Sequence, residues 1–133
     1  WACGPPEVCR RMIALGLDLL EIDRIRRSLQ NPRFVERVFG AQEREQLSAR
    51  GFPAQSAAAC FCAKEAFGKA LGTGIRGFLL TEVQLLREPS GQPYLFLSGS
   101  ALRLAEERGL RFSVSVTHTK NYAAVVAAAE QKS

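Results

Sequence analysis

The chain has 133 residues, 47% hydrophobic and 23% charged, and its 18 Lys and Arg outnumber 13 Asp and Glu to give a formal net charge of +5. This composition is typical of one globular domain with a modest core, and oligomerisation could bury further surface. The basic excess suits phosphate-bearing ligands or acidic proteins, but it forms no dense Lys/Arg block of a nucleic-acid-binding tail. No apolar run reaches the roughly 18–20 residues of a membrane span.

The amino-terminal residues look separate from the rest of the chain. Residues 1–11 contain no apolar segment of the kind that secretory signals carry. Met12 precedes a strand-like run and could be a natural start. We therefore expect residues 1–11 to be an extension, either disordered or foreign to the natural protein, and residues 12–133 to form the domain.

The sequence contains four cysteines, with no CxxC pair and no familiar zinc-binding spacing. They are Cys3, Cys9, Cys60 and Cys62. The last two fall in a helical pattern, where small buried thiols are common. We interpret all four as unpaired thiols in a reducing cytoplasm.

The first half of the sequence predicts one strand followed by helices. Residues 13–20 are nearly all apolar and bounded by charge, which is typical of a buried strand. Apolar residues then recur at helical spacing, which predicts helices over 21–30, over 33–50 with a break at Gly40, and over 54–71. The last is the longest, and Gly72 stands where a helix-ending glycine is expected.

The second half is richer in strands. A hairpin is predicted between 82–87 and 94–97, a short helix over 100–108, and a strand over 112–117. Residues 122–129 are expected to pair as a further strand, although alanine has weak strand propensity. The sum is a single α+β domain with a mostly antiparallel sheet packed against a long central helix.

Two carboxylates are candidates for chemistry. Asp18 lies in an otherwise apolar strand, where an ionised carboxylate is costly unless it is paired or bound to a cation. Its alternative role is to cap the helix that begins just after it. Glu65 could join it around one Mg²⁺, which proteins usually hold through one or two carboxylates, with waters and substrate phosphate. The sequence does not establish that the two residues meet.

Basic and small residues near these carboxylates suggest an anion site. Glu65 and Lys69 share one helix face, as either a surface ion pair or part of a site. Glycines follow Lys69, and backbone N–H groups in such a loop can line a phosphate. His118, the only histidine, lies at a strand end between hydroxyl residues, which suits an anion pocket or a purely structural role.

Three segments resemble the motifs of bacterial holo-[acyl-carrier-protein] synthases, the short type of 4′-phosphopantetheinyl transferase. Residues 16–24 are similar to G-x-D-x-x-x-x-x-R, and residues 61–74 to F-x-x-K-E-A-x-x-K-A-x-G-T-G. Residues 115–123 are similar to S-x-[ST]-H-T-x-x-Y-A. The motifs occur in the family's order and with compatible spacing, and together they bracket nearly the whole chain.

The resemblance implies the 4′-phosphopantetheinyl transferase fold and a reaction. The enzyme would move 4′-phosphopantetheine from coenzyme A to a serine of apo acyl carrier protein, giving adenosine 3′,5′-bisphosphate as the second product. It would depend on Mg²⁺, with Mn²⁺ as an alternative. The resemblance also implies a cytoplasmic homotrimer with active sites at subunit interfaces, serving fatty-acid and lipid biosynthesis. Carrier proteins of polyketide or peptide assembly are alternative partners, whereas no nucleic acid or membrane is expected as one.

The resemblance also assigns roles to the matched residues. Asp18 and Glu65 would bind the metal and act in catalysis with Lys69. Lys64 and Lys69 would lie near the phosphates of coenzyme A. The other residues expected to bind coenzyme A are Gly72, Thr73, Gly74, His118 and Thr119, the last two through its 3′-phosphate.

Two further roles concern the carrier protein. Arg24, and as a weaker assignment Arg27, would dock its acidic surface, although these arginines could simply be solvated.

The base that accepts the serine proton stays open among Glu65, Asp18 and a metal-bound water.

One position departs from the family pattern. Many family members carry an arginine just before the second motif, where it can reach phosphate, whereas this chain has Cys60. A thiol does not replace the bidentate grip of arginine on phosphate. Either another basic residue compensates or coenzyme A binds more weakly. A degenerate module that binds coenzyme A without transferring anything is the corresponding alternative function.

Overall fold

The computed structural model describes residues 14–132, so the expected extension of residues 1–11 lies outside the described part of the chain. The first half contains β1 (Ala14–Glu21), α1 (Ile22–Ser28), α2 (Pro32–Val38), α3 (Ala41–Ala49) and α4 (Ala54–Leu71). The second half contains a 3₁₀ turn (Leu80–Glu82), β2 (Val83–Arg87), β3 (Pro93–Leu97), α5 (Gly99–Glu107), β4 (Leu110–His118) and β5 (Tyr122–Gln131). The predicted α+β class is confirmed.

The break that glycine predicts within residues 33–50 separates α2 from α3. Helix α2 begins at Pro32, where proline suits a first helical position, and the Asn31 side chain accepts a hydrogen bond from the Arg33 N–H at 3.0 Å. Gly40 lies against Gln84, because a Cβ at this glycine would stand 2.3 Å from the Gln84 side chain. Glycine is therefore the residue that fits this close approach to β2 at the turn between the two helices.

The strands form two antiparallel sheets. One has three strands in the order β1-β5-β4, and the other is the β2–β3 hairpin. In the larger sheet Asp18 pairs with Val125, which in turn pairs with Val116. The alanine-rich segment is thus the central strand. Its weak intrinsic propensity is overcome by pairing on both sides and by burial of alternate alanines against α4.

Helix α4 packs closely against the inner face of this sheet. A Cβ at Gly16 of β1 would stand 1.9 Å from the Ala66 carbonyl oxygen of α4, so only glycine fits there. Ala123, Ala127 and Ala129 of β5 are fully buried on the same face. Small residues on both surfaces hold the helix backbone close to β1, and this places the second motif beside the first.

The expectation that β1 is buried is wrong for its outer face. Leu15, Leu17 and Leu19 are 64%, 62% and 64% exposed, whereas Gly16 and Leu20 are buried. Because α4 covers one side of the sheet only, a continuous apolar run leaves every second side chain open.

Among the described residues, no helix is both long and apolar enough to span a bilayer.

Candidate active site

The first and second motifs meet where β1 passes α4. Asp18 lies two residues beyond Gly16 on the same face of the strand and is thus carried to the side of α4. Lys69 donates a hydrogen bond to the Leu17 carbonyl at 2.9 Å, and its Nζ lies 3.3 Å from the Asp18 Oδ1. The structure therefore brings together Asp18, Lys69 and Glu65, which lies one helical turn before the lysine.

The two carboxylates affect each other. Burial, and secondly repulsion from Asp18, raise the pKa of Glu65, while the nearby Lys69 opposes the rise. A divalent cation between such carboxylates would relieve this repulsion. Within residues 14–132, no three His, Cys, Asp or Glu side chains are grouped as a metal cage. Asp18 and Glu65 supply two carboxylates, and Mg²⁺ accepts one or two carboxylates together with waters and phosphate oxygens.

The glycine loop after α4 is folded back on the helix end. Gly72 has a left-handed φ of 80°, and the N–H groups of Thr73 and Gly74 donate to the Gly68 carbonyl at 3.2 and 3.0 Å. A Cβ at Gly68 would stand 2.2 Å from the Gly74 oxygen. These two amides close the end of the helix, and the contacts with coenzyme A that the resemblance implies for Gly72, Thr73 and Gly74 stay a prediction.

Lys64 lies away from the pair formed by Asp18 and Glu65. Its side chain is 0% exposed, and Nζ donates to the Glu43 Oε1 at 2.6 Å and to the Val83 carbonyl at 2.5 Å. The Glu43 carboxylate also accepts from the backbone N–H groups of Gly40 and Leu85 at 3.0 and 2.8 Å. Lys64 therefore lies in the core, where it ties α4 to α3 and β2, and its buried ammonium is not open to the phosphate that it was predicted to contact.

His118 and Thr119 end β4 with different surroundings. The Thr119 hydroxyl accepts hydrogen bonds from Asn121 N and Tyr122 N at 3.3 and 3.1 Å, and its own N–H donates to the Tyr122 carbonyl. Thr119 thus stabilises the turn between β4 and β5. His118 is exposed and lines a cleft of about 400 Å³.

The cleft at His118 contains two arginines that the motifs did not identify. Arg50 follows α3, and Arg87 ends β2. The other lining residues are Gln55, Ser56, Ala59, Gly91 and Val116. No sequence signal relates Arg50 to Arg87, because they lie on elements that only the tertiary fold brings together.

The two described cysteines are free and buried. Burial, and secondly the charge of Glu43, raise the pKa of Cys60 far above its usual value. Burial, and secondly the charge of Asp18, raise the pKa of Cys62 to about 12. Neither thiol is therefore suited to act as a nucleophile. Cys3 and Cys9 lie outside the described residues.

Helix α1 presents the arginines expected to dock a partner. Ile22 and Ile25 are buried, whereas Arg24 and Arg27 are exposed. Neither takes part in the four ion pairs of residues 14–132, whereas the neighbouring Arg26 pairs with Asp23. Because α1 begins directly after β1, these side chains stand close in the chain to Asp18.

The motifs and their geometry agree with a comparison to protein families. A family model described as the 4′-phosphopantetheinyl transferase superfamily matches residues 14–127. The chain belongs to this superfamily. The holo-[acyl-carrier-protein] synthase of Treponema denticola is 42% identical over 117 residues, which cover 86% of this chain and 95% of the relative. That of Caldanaerobacter subterraneus subsp. tengcongensis is 40% identical over 119 residues, covering 88% and 94%.

Solved structures of this superfamily share the fold. The holo-[acyl-carrier-protein] synthase of Neisseria meningitidis superposes with a TM-score of 0.84 at 30% identity, covering 90% of this chain and 100% of that one. An ACPS–CoA complex from Chronobacterium ammoniagenes gives a TM-score of 0.78 at 27% identity, covering 92% and 99%. The predicted 4′-phosphopantetheinyl transferase fold and family are therefore confirmed.

Proposed function

We propose that this transferase is a holo-[acyl-carrier-protein] synthase, which moves 4′-phosphopantetheine from coenzyme A to a serine of apo acyl carrier protein. The observation that carries the proposal is the meeting of Asp18, Glu65 and Lys69 where β1 passes α4. The relatives named above carry this activity in their names, and one solved relative is a complex with coenzyme A. Holo carrier protein and adenosine 3′,5′-bisphosphate are the expected products.

Asp18 and Glu65 would hold Mg²⁺, or Mn²⁺ in its place. When bound, the metal would neutralise charge on the diphosphate of coenzyme A. Lys69 is positioned to add to this neutralisation, since the contacts to Leu17 and Asp18 hold its half-exposed ammonium in place. An ammonium has three N–H donors, so one remains for a phosphate oxygen. Such fixed cations are worth most where negative charge develops during phosphoryl transfer.

The bond changes follow from the products. The serine oxygen forms a bond to the phosphorus nearer the pantetheine, and the bond from that phosphorus to the bridging oxygen breaks. Adenosine 3′,5′-bisphosphate leaves with the electron pair, and the serine proton passes to a base. The candidates for this base are Glu65, Asp18 and a metal-bound water.

The carrier protein would approach over α1. Arg24 and Arg27 are exposed and lack carboxylate partners in the described ion pairs, which leaves both free to meet an acidic surface. Charges at an interface rim mainly accelerate association, so encounter should slow as salt rises. Replacing Arg24 with glutamate should lower the association rate by more than tenfold, measured by surface plasmon resonance, and flatten its salt dependence. An unchanged rate would mean that this face is only solvated.

The outer sheet face supports the homotrimer. Leu15, Leu17 and Leu19 lie in one row and pair in register with Ala128, Val126 and Ala124 of β5, which gives an apolar strip that no described residue covers. Large exposed apolar strips of this kind mark association surfaces. The occupant that we propose is a second copy of the chain. Association here would place a neighbouring copy against the outer face of the strand that carries Asp18 on its inner face.

The cellular setting is part of the proposal. The two free buried thiols, Cys60 and Cys62, fit a reducing cytoplasm. The relatives' names specify an acyl carrier protein, and we propose that the partner of this chain is the one that serves fatty-acid and lipid biosynthesis. Carrier proteins of polyketide or peptide assembly are tested in the same assay.

Intact-mass spectrometry tests the proposed reaction directly. Apo carrier protein is incubated with this protein, coenzyme A and Mg²⁺, beside samples that contain EDTA or the Glu65→Gln variant. The expected result is the gain of one phosphopantetheine on the serine, lost in both controls. Binding of coenzyme A without any gain across several carrier proteins would favour the degenerate module instead.

A further inference from the structure

Strand β2 has a neighbouring strand on one side only. It pairs with β3, and no strand of residues 14–132 lies along its other edge. Side chains take the place of a strand there: Lys64 donates to the Val83 carbonyl at 2.5 Å, and the Glu43 carboxylate accepts from the Leu85 N–H at 2.8 Å. Alternate residues of a strand direct their backbone groups to the same edge, so Arg87 is the next residue whose N–H and C=O need partners at this edge.

Gln46 of α3 supplies both of these partners. Its side-chain oxygen accepts from the Arg87 N–H at 3.0 Å, and its side-chain nitrogen donates to the Arg87 carbonyl at 3.2 Å. Gln46 is half-buried and follows Glu43 by three residues, so the two side chains lie on the same face of the helix. One amide that both donates to and accepts from Arg87 pairs with it as a residue of an adjacent antiparallel strand does.

This amide connects the two elements that carry the arginines of the cleft at His118. Arg50 follows α3 four residues after Gln46, and Arg87 ends β2. Gln46, Arg50 and Arg87 line one small cavity of about 30 Å³ that adjoins the cleft. The Arg87 guanidinium donates to the Gly91 carbonyl at 3.0 Å, so the side chain is held at its far end and the backbone at its near end. The position of Arg87 relative to Arg50 therefore depends on the Gln46 amide.

We propose that Gln46 is a positioning residue for coenzyme A, which holds Arg87 in place from behind the cleft without touching the substrate. The inference rests on the proposed function, since it concerns the same substrate. Gln46 does not line the cleft itself. Without its two hydrogen bonds, Arg87 has to be ordered each time coenzyme A binds, and the cost of that ordering lowers the affinity. The reacting groups at Asp18 and Glu65 lie elsewhere, so the turnover number should not depend on Gln46.

The test replaces Gln46 with methionine, which keeps about the same length and removes both hydrogen bonds. Gln46→Ala removes the same bonds with a smaller side chain and serves as a second variant. Gln42→Met is the matched control, because Gln42 lies on the same helix but is exposed and accepts a hydrogen bond from the Gln84 side chain, at 2.7 Å, instead of contacting the β2 backbone. Thermal unfolding checks that each variant is folded.

Two measurements separate positioning from a general loss of stability. Amide hydrogen exchange followed by NMR, without substrate, reports on the Arg87 N–H, and steady-state transfer gives KM for coenzyme A, KM for the carrier protein and kcat. In both Gln46 variants the Arg87 N–H should exchange at least about tenfold faster, as expected when a hydrogen bond of about 1.4 kcal/mol is lost. KM for coenzyme A should rise by about 3- to 30-fold, which corresponds to one or two hydrogen bonds.

The same variants should leave kcat and the KM for the carrier protein within about twofold of wild type, and Gln42→Met should match wild type throughout. A lower kcat with an unchanged KM for coenzyme A would overturn the inference, because that is the signature of a smaller folded fraction or of a role in the chemical step. Unchanged exchange of the Arg87 N–H, or equal effects of Gln46→Met and Gln42→Met, would overturn it as well.

The proposed function fails separately from this inference. If no carrier protein gains phosphopantetheine, isothermal titration calorimetry measures the affinity for coenzyme A in place of KM. Weaker binding by Gln46→Met together with faster Arg87 exchange then supports the positioning role while the transferase assignment falls. If transfer occurs and KM for coenzyme A is the same in Gln46→Met and wild type, the positioning role falls and the transferase assignment stands. A wild type that neither binds coenzyme A nor transfers phosphopantetheine refutes both.

Discussion

The two lysines of the second motif offer a sharp test of the structure, because one is buried and the other lies at the proposed active site. Lys64 makes an ion pair with Glu43 in which both side chains are 0% exposed, whereas the Lys69 side chain is 51% exposed. Each lysine is replaced in turn by methionine, which keeps about the same side-chain length and removes the ammonium group. Lys64→Met should destabilise the fold, and Lys69→Met should mainly impair catalysis.

The expected loss of unfolding free energy depends on which groups each substitution leaves without a partner. Lys64→Met leaves the buried carboxylate of Glu43 with only two backbone donors, Gly40 N and Leu85 N. Breaking a buried pair in this way costs about 3–5 kcal/mol, a large part of an ordinary stability of roughly 5–15 kcal/mol. For a chain of this size the loss lowers the midpoint of thermal unfolding by roughly 10–20 °C. Lys69→Met should cost at most about 1 kcal/mol, since its pair is exposed.

The assay is urea unfolding followed by circular dichroism, with protein concentration held fixed because association would add to stability. A third variant, Lys64→Met with Glu43→Gln, removes both charges and keeps an oxygen acceptor for a backbone N–H. It should recover much of the lost stability, as the stranded charge is the main cost. A midpoint for Lys64→Met within error of wild type, or equal losses for Lys64→Met and Lys69→Met, would refute the reasoning.

Three further predictions concern the same region. Glu65→Gln should abolish transfer yet raise the unfolding temperature at neutral pH, because burial and Asp18 penalise the charged form of Glu65. The stability advantage of the variant should shrink as the pH falls through the raised pKa of Glu65, where the wild-type side chain also becomes neutral. A variant less stable than wild type at neutral pH would contradict this prediction. Gly16→Ala should lose about 1–3 kcal/mol in urea unfolding, or fail to fold, since its Cβ would meet the Ala66 carbonyl; a stable, active variant would show that α4 can move away. Leu17→Asp should convert the proposed trimer to folded monomers in size-exclusion chromatography with light scattering, while a persisting trimer would place the interface elsewhere.

Much of the fold and part of the candidate site could be predicted from the sequence. Helical and alternating periodicity predicted the order of the elements, and Gly40 and Gly72 marked breaks that the structure has. These features are local, since each depends on which residues lie within a turn or two of one another. The pattern Gly16-x-Asp18 also carried tertiary information, because only glycine permits the approach of α4 that brings Asp18 near Glu65.

The tertiary structure decided which side of each element faces what. Lys64 and Lys69 stand about 140° apart around the helix, so they point in different directions, but the sequence does not say which one meets Glu43 and Val83. A continuous apolar strand likewise predicts burial on both faces, whereas the fold covers only one. The cleft depends on Arg50, Arg87 and His118, which are separated by 37 and 31 positions in the chain. Such contacts arise from packing between distant elements, and no local spacing encodes them.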